Sequence, residues 1–209
     1  MKIKKFVQKK MATAKYELPQ SQLDLLHELL VDVTCFLDSH EIQYWIDGGT
    51  LLGSVRHQGQ IPWDDDIDIG VMTDDYFRLT TLLLDAPFIT EIHPGMMKIF
   101  VPNKWLLLEE RTIGTPTLDI FPWIKEGSRY QLAFGQHQRK WDNCYHEEED
   151  FFPLQKVSFD GQLISQASNP FPYLHRMYPG WDVTAEIEMR LPAGQGRIDL
   201  KTEKVRVDF

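Results

Sequence analysis

The stretch YWIDGGTLLGSVRHQGQIPWDDDIDIGV, residues 44–71, decides how this chain is read. It holds two physical devices. In the first, Gly48-Gly49 follow a short apolar run ending at Ile46 and precede residues 50–56, which read as the start of a helix. Glycines let a backbone approach a ligand closely. The free amides and positive dipole end of a helix suit a phosphate. Thr50 adds a hydroxyl and Arg56 a fixed positive charge. Alone, Gly-Gly before a helix is a common turn.

The second device is Asp64-Asp65-Asp66-Ile67-Asp68-Ile69. In an extended strand alternate residues share a face. Asp64, Asp66 and Asp68 then point one way, and Asp65, Ile67, Ile69 and Val71 point the other, mostly into a core. Same-face neighbours sit about 6–7 Å apart, so two carboxylates can reach one cation. Like charges held this close repel unless neutralised, and a divalent ion is the simplest neutraliser. A solvated acidic turn explains the acids but not their interleaving with β-branched residues straight after Ile61-Pro62-Trp63. A calcium-binding helix–loop–helix is excluded. Its sixth loop position would be Ile69 instead of glycine and its twelfth Asp75 instead of glutamate, and Pro62 stands where a helix should enter.

Working outward, Leu23, Leu25, Leu26, Leu29, Leu30, Val33 and Leu37 recur at helical spacing. They predict a helix capped by Ser21 and lying on one face of a sheet. Strands are expected over 41–46, through Ile67, Ile69 and Val71, and over 96–101 and 117–121. A helix capped by Asp74 is expected over 74–84. Asp119 is a lone acid in Thr117-Leu118-Asp119-Ile120. If Leu118 and Ile120 face the core, a sheet brings Asp119 beside Asp66 and Asp68; an exposed strand acid is the equal alternative. From residue 125 on the chain reads as irregular. The exception is a hairpin about Asp160-Gly161, between Val157-Ser158-Phe159 and Gln162-Leu163-Ile164. Residues 194–209 read as a terminal strand or a loose tail.

The bulk numbers narrow the function. The 209 residues fit one domain, and 43% apolar content with twelve Phe supports an ordinary core. Lys and Arg number 22 against 31 Asp and Glu, a net charge of −9. That argues against broad nucleic-acid binding, which needs cations to displace phosphate counterions. Two cysteines make no disulfide framework. Residues 1–10 are charged with no apolar run behind them, and no stretch is long enough to span a membrane. A soluble, cytoplasmic protein is expected. Cys144, His146 and His137 have no closed zinc spacing. Glu147-Glu148-Glu149-Asp150 reads as a solvated acidic run, and Trp63, Trp123 and Trp181 as core or pocket wall.

Together these residues resemble the LicD/fukutin family. Its hallmark is Gly-Gly-Thr-Leu-Leu-Gly, then Arg, then Ile-Pro-Trp-Asp-Asp-Asp-Ile-Asp-Ile-Gly, standing here at 48–53, Arg56 and 61–70. A second element is Asp119-Ile120-Phe121-Pro122. A looser third runs from Phe152-Pro153-Leu154 through Phe159-Asp160-Gly161 and Tyr173-Leu174 to Tyr178-Pro179-Gly180-Trp181, where Pro179 separates a Tyr-Gly pair. The likeness spans roughly residues 25–181.

The resemblance implies an α/β (α+β), nucleotidyltransferase-like mixed sheet flanked by helices. It places a catalytic domain at 21–185, between an N-terminal extension, 1–20, and a C-terminal tail or strand, 186–209. It implies a metal-dependent transferase, using Mg²⁺ or Mn²⁺. Such an enzyme moves a phospho-alcohol, such as phosphocholine or ribitol phosphate, from a CDP-linked donor to a hydroxyl of a glycan or glycolipid. Asp66 and Asp68 match the metal-binding carboxylates and Asp119 the third carboxylate, as base or as ligand. Gly48, Gly49, Thr50 and Arg56 match the donor-phosphate region, and Asp64 an acid beside the metal pair. Two other functions stay open: a true nucleotidyltransferase, leaving NMP on its acceptor, and a non-catalytic nucleotide- or metal-binding module.

Overall fold

The apolar spacing of the first helix puts Leu26, Leu29, Leu30, Val33 and Leu37 on one stripe, and all five are fully buried in α1 (Gln20–Ser39). Burying each such side chain contributes roughly 1.5–3 kcal/mol before entropy is counted. The helix starts two residues earlier than a Ser21 cap would place it. Pro19 precedes its first turn and no side chain caps it, because the fixed φ of proline suits a helix start. This computed structural model describes residues 17–100, 116–134, 142–192 and 198–206. Residues 1–16 of the expected extension, His137, and 193–197 and 207–209 of the expected tail lie outside them.

After α1 come β1 (Tyr44–Ile46), α2 (Gly48–His57), β2 (Asp66–Met72) and α3 (Thr73–Leu82), followed by a single 3-10 turn, Leu83–Asp85. Then follow β3 (Ile89–His93), β4 (Met96–Phe100), β5 (Thr117–Glu126), β6 (Arg129–Leu132) and β7 (Tyr145–Glu147). The sheet runs β1-β2-β5-β4-β3, with β6 on the far half of β5 and β7 beside β6. Only β2 and β5 pair in parallel; the other described pairs of this sheet are antiparallel. The chain is thus a mixed α+β fold, and α1 and α3 pack on its central strands β2 and β5.

The alternation read from the sequence holds in β2: Ile67, Ile69 and Val71 are buried while Asp66 and Asp68 are half-buried on the other face. Leu118 and Ile120 on β5, and Met97 and Ile99 on β4, are fully buried beside them.

The region beyond residue 125 corrects the sequence reading. It is ordered into β6, β7, the short helix α4 (Glu148–Phe151), β8 (Gln155–Phe159), β9 (Gln162–Gln166), α5 (Phe171–Met177), β10 (Thr184–Pro192) and β11 (Ile198–Arg206). The expected hairpin is present, with Val157 opposite Ile164 and Phe159 opposite Gln162. Asp160 and Gly161 both take positive φ at its turn, 48° and 84°, as a two-residue hairpin requires. The expected terminal strand is β11, which pairs with β10 in a second hairpin, Thr184 opposite Arg206. The acidic run at 147–150 is solvent-accessible as expected, and two of its acids form surface ion pairs. Glu147 pairs with Arg129 at 2.8 Å and Glu148 with Lys125 at 2.5 Å. At the other ends of the prediction, α3 starts at Thr73, so Asp74 sits in its first turn instead of capping it. Among the described residues no helix is long and apolar enough to cross a membrane.

Candidate functional site

Parallel pairing of β2 with β5 sets Asp68 opposite Asp119 and Asp66 opposite Thr117. With the apolar neighbours committed to the core, the carboxylates emerge on one face. Oxygens of Asp66, Asp68 and Asp119 lie within 4.8 Å of one another, as do those of Asp64, Asp65 and Asp66. Oxygens sharing one Mg²⁺ at about 2.1 Å stand roughly 3–4 Å apart. The three strand acids therefore fit a divalent ion with little adjustment. Oδ1 of Asp119 is buried and has no hydrogen-bond partner among the described residues, so that oxygen is available to a ligand. Burial raises Asp68 well above the usual carboxylate range, and the neighbouring Asp66, Asp64 and Asp119 charges add to it. Burial raises Asp64 likewise, helped by Asp66 and Asp65 and opposed by Arg56. Asp119 is also raised by burial, although Lys98 pulls it down. Acids held this way favour either protons or a cation.

The Gly-Gly segment packs directly on these acids. Asp47 donates its amide to the Asp68 carbonyl at 3.0 Å, and Gly49 donates its amide to Asp68 Oδ2 at 3.1 Å. Gly48 holds φ at 49°, and a β-carbon there would stand 2.5 Å from Asp68 Oδ2; one on Gly49 would stand 2.7 Å from Asp64 Oδ2. Only glycine permits that approach. Thr50 is buried, and its Oγ1 accepts the Asp68 amide at 2.8 Å. It ties the start of α2 to β2. Arg56 lies in the last turn of α2, its guanidinium 5.7 Å from the Trp63 ring centre. Burial lowers its pKa to about 10, against the charge of Asp64, so it stays cationic at neutral pH. All eight residues singled out in the sequence thus gather around one end of β2.

Several neighbours support the site through contacts that the sequence alone did not specify. Gln60 donates from Nε2 to the carbonyls of Asp64, at 3.1 Å, and Asp66, at 2.9 Å, clamping the acidic turn. The β8–β9 hairpin holds Gln60 in turn, since Asp160 Oδ2 accepts the Gln60 amide at 2.8 Å. Asp47 is 3% exposed, and burial pushes its pKa up to about 6 despite the Gly48 amide, Tyr173 and Trp123. Burial likewise pushes the Tyr173 and Tyr178 hydroxyls up, and the charges of Asp47 and of Asp68 respectively come next. Cys144 Sγ lies 3.5 Å from the Tyr173 hydroxyl. His146 stacks on Tyr173, ring centres 4.3 Å apart, and burial lowers it to about 3. Cys144 and His146 are therefore core groups and join no metal-capable cluster among the described residues. Trp123 and Trp181 are core, whereas Trp63 is half-buried against Arg56 and His57.

Lys98 completes the surroundings. It stands on β4 opposite Asp119, with Nζ donating to Asp119 Oδ2 at 2.5 Å.

Comparison with known proteins bears on this arrangement. Residues 41–166 match the family described as LicD/FKTN/FKRP, nucleotidyltransferase domain. An uncharacterized protein of Rickettsia typhi is 32% identical over 174 residues, covering 83% of this chain and 52% of that protein. The lipopolysaccharide cholinephosphotransferase LicD of Haemophilus influenzae is 45% identical over 143 residues, covering 57% of this chain and 51% of that protein. The mouse ribitol 5-phosphate transferase FKRP is 40% identical over 57 residues, covering 27% of this chain and 12% of that protein. The chain spans about half the length of the first two relatives. The family match runs from the residue after α1 and its turn to the end of β9, enclosing Asp66, Asp68, Asp119 and the glycine segment, and on it this chain belongs to the LicD/FKTN/FKRP family.

Proposed function

We propose that this site transfers a phospho-alcohol from a CDP-linked donor to a hydroxyl of a glycan or glycolipid acceptor. The observation that carries the reading is the closure of Asp66, Asp68 and Asp119 into one oxygen cluster directly against a glycine-opened helix start. The names of two relatives, a cholinephosphotransferase and a ribitol 5-phosphate transferase, support phospho-alcohol transfer as the reaction class.

In this reading Asp66, Asp68 and Asp119 hold a divalent cation, Mg²⁺ or Mn²⁺, which when bound supplies neutralisation of charge on the pyrophosphate. The chain's own part is positioning, which carries most of phosphoryl-transfer catalysis. Asp68 is fixed through both its backbone amide and Oδ2, by Thr50 and Gly49. Gln60 fixes the carbonyls on either side of Asp65. Arg56, cationic beside Asp64, supplies the fixed positive charge for the donor phosphates. The acceptor hydroxyl attacks the phosphorus that bears the alcohol, the bond from that phosphorus to the bridging oxygen breaks, CMP leaves with the bridging oxygen, and the hydroxyl proton passes to solvent. Asp119, with one oxygen on Lys98 and the other without a hydrogen-bond partner among the described residues, serves in this reading as a ligand.

The test is product analysis with CDP-choline, CDP-ribitol, CDP-glycerol, CTP and ATP in Mg²⁺. CMP release from one CDP-alcohol, absent in Asp66→Asn, is the expected result. Pyrophosphate release from CTP or ATP would make the protein a nucleotidyltransferase instead.

A further inference from the structure

Lys98 is the third member of a row of charged side chains laid across three neighbouring strands. Asp68 on β2 is in register with Asp119 on β5, and Asp119 with Lys98 on β4. Met97 and Ile99 flank Lys98 and are fully buried, so alternation turns Lys98 onto the carboxylate face. Its ammonium reaches Asp119 Oδ2 at 2.5 Å while the side chain remains 30% exposed. An ammonium has three donors and no acceptor. Among the described residues Asp119 is its one hydrogen-bond partner, which leaves two donors without a partner among those residues.

The position matters because the site is crowded with acids, whereas the proposed donor is itself an anion. A pyrophosphate can settle there only where fixed positive charge meets it. Arg56 supplies such charge beside Asp64. Lys98 supplies it at the opposite end of the row, beyond Asp119. A lysine placed only to balance Asp119 could be wholly buried with it; this one is not.

We propose that Lys98 is a binding residue for the donor pyrophosphate, held at the edge of the carboxylate cluster by Asp119. The inference rests on the phosphotransferase reading of the same site. Asp119 then has two tasks, one oxygen aiming Lys98 and the other facing the cation.

The test measures binding of inorganic pyrophosphate to the full chain by calorimetry in saturating Mn²⁺, with Mn²⁺ affinity measured separately by electron paramagnetic resonance. Lys98→Gln keeps a donor for Asp119 but removes the charge; Lys98→Arg keeps the charge. Lys98→Gln is expected to weaken pyrophosphate binding about tenfold or more, the scale of one charge-assisted hydrogen bond. Its Mn²⁺ affinity should be equal or tighter, because an opposing ammonium is gone, and Lys98→Arg should recover most of the pyrophosphate affinity. Unchanged pyrophosphate affinity in a Lys98→Gln protein that melts like wild type would overturn the proposal. So would a wild type that takes Mn²⁺ but not pyrophosphate. If Lys98→Gln fails to fold, Lys98→Arg decides: loss of pyrophosphate binding in that folded variant would overturn it. Turnover is a separate arm. Silence of the wild type on every CDP-alcohol, with the pyrophosphate result intact, would remove the phosphotransferase reading and leave the Lys98 contact standing.

Discussion

Replacing Asp47 with asparagine should make the metal-free protein more stable, and the gain should depend on pH. Asp47 is 3% exposed, and its Oδ1 has no hydrogen-bond partner among the described residues. Burial moves its carboxyl from the ordinary 3.8 up to about 6. A raised pKa means the fold resists ionisation, here by about 3 kcal/mol. That penalty is fully present above pH 6, shrinks as pH falls through 6, and is gone below 3.8. Asparagine keeps the shape, and a carbonyl oxygen for the Gly48 amide, but carries no charge. In EDTA, urea unfolding at pH 8 should therefore show Asp47→Asn stabilised by up to about 3 kcal/mol, a midpoint about 1 M higher for a slope near 3 kcal/mol/M. By pH 4 the two proteins should converge. A variant less stable than wild type at pH 8, or a difference that does not change with pH, would refute the reasoning.

Asp66→Asn and Asp68→Asn should each lower CMP release by about a thousandfold, the several kcal/mol that a bound cation contributes, while far-ultraviolet circular dichroism stays that of wild type; half-maximal turnover in either would count against the cluster. Burial raises Asp64, Asp68 and Asp119, so in EDTA thermal stability should rise as pH falls through their raised range. At pH 8, Mg²⁺ at a hundred times its dissociation constant should raise Tm by about 5–10 °C, and a melting curve indifferent to Mg²⁺ and EDTA contradicts this. Gly48→Ala forces a side chain into φ 49° and within 2.5 Å of Asp68 Oδ2. It should cost about 1–3 kcal/mol and weaken Mn²⁺ binding; wild-type values in calorimetry and metal titration would show that the close approach is unimportant.

What could be read from the sequence was local. The period of two in Asp66-Ile67-Asp68-Ile69 survives as a strand because β2 buries one face, and Asp160-Gly161 announces its hairpin by turn chemistry. Asp119 stood out as an acid among apolar residues, and the parallel register then placed it beside Asp68. β3 escaped notice because four of its five residues are exposed, so it shows no alternation. The strands β6 and β7 are four and three residues long, too short for a periodic signal. The roles of Lys98, Gln60 and Asp47 were invisible for another reason: each acquires its role from a partner on another element or turn, such as Asp119 for Lys98 and Asp68 for Asp47. The alternation that exposes a carboxylate row cannot say which lysine will face it.

The most direct measurement follows the two phosphorus atoms of the donor separately. A CDP-alcohol labelled at the phosphorus bearing the alcohol, incubated with acceptor glycan and Mg²⁺, should pass its label to the acceptor. The same donor labelled at the cytidine phosphorus should release all label as CMP. Label from the cytidine phosphorus on the acceptor would mean that the nucleotide is what this site transfers, and would contradict the proposed function.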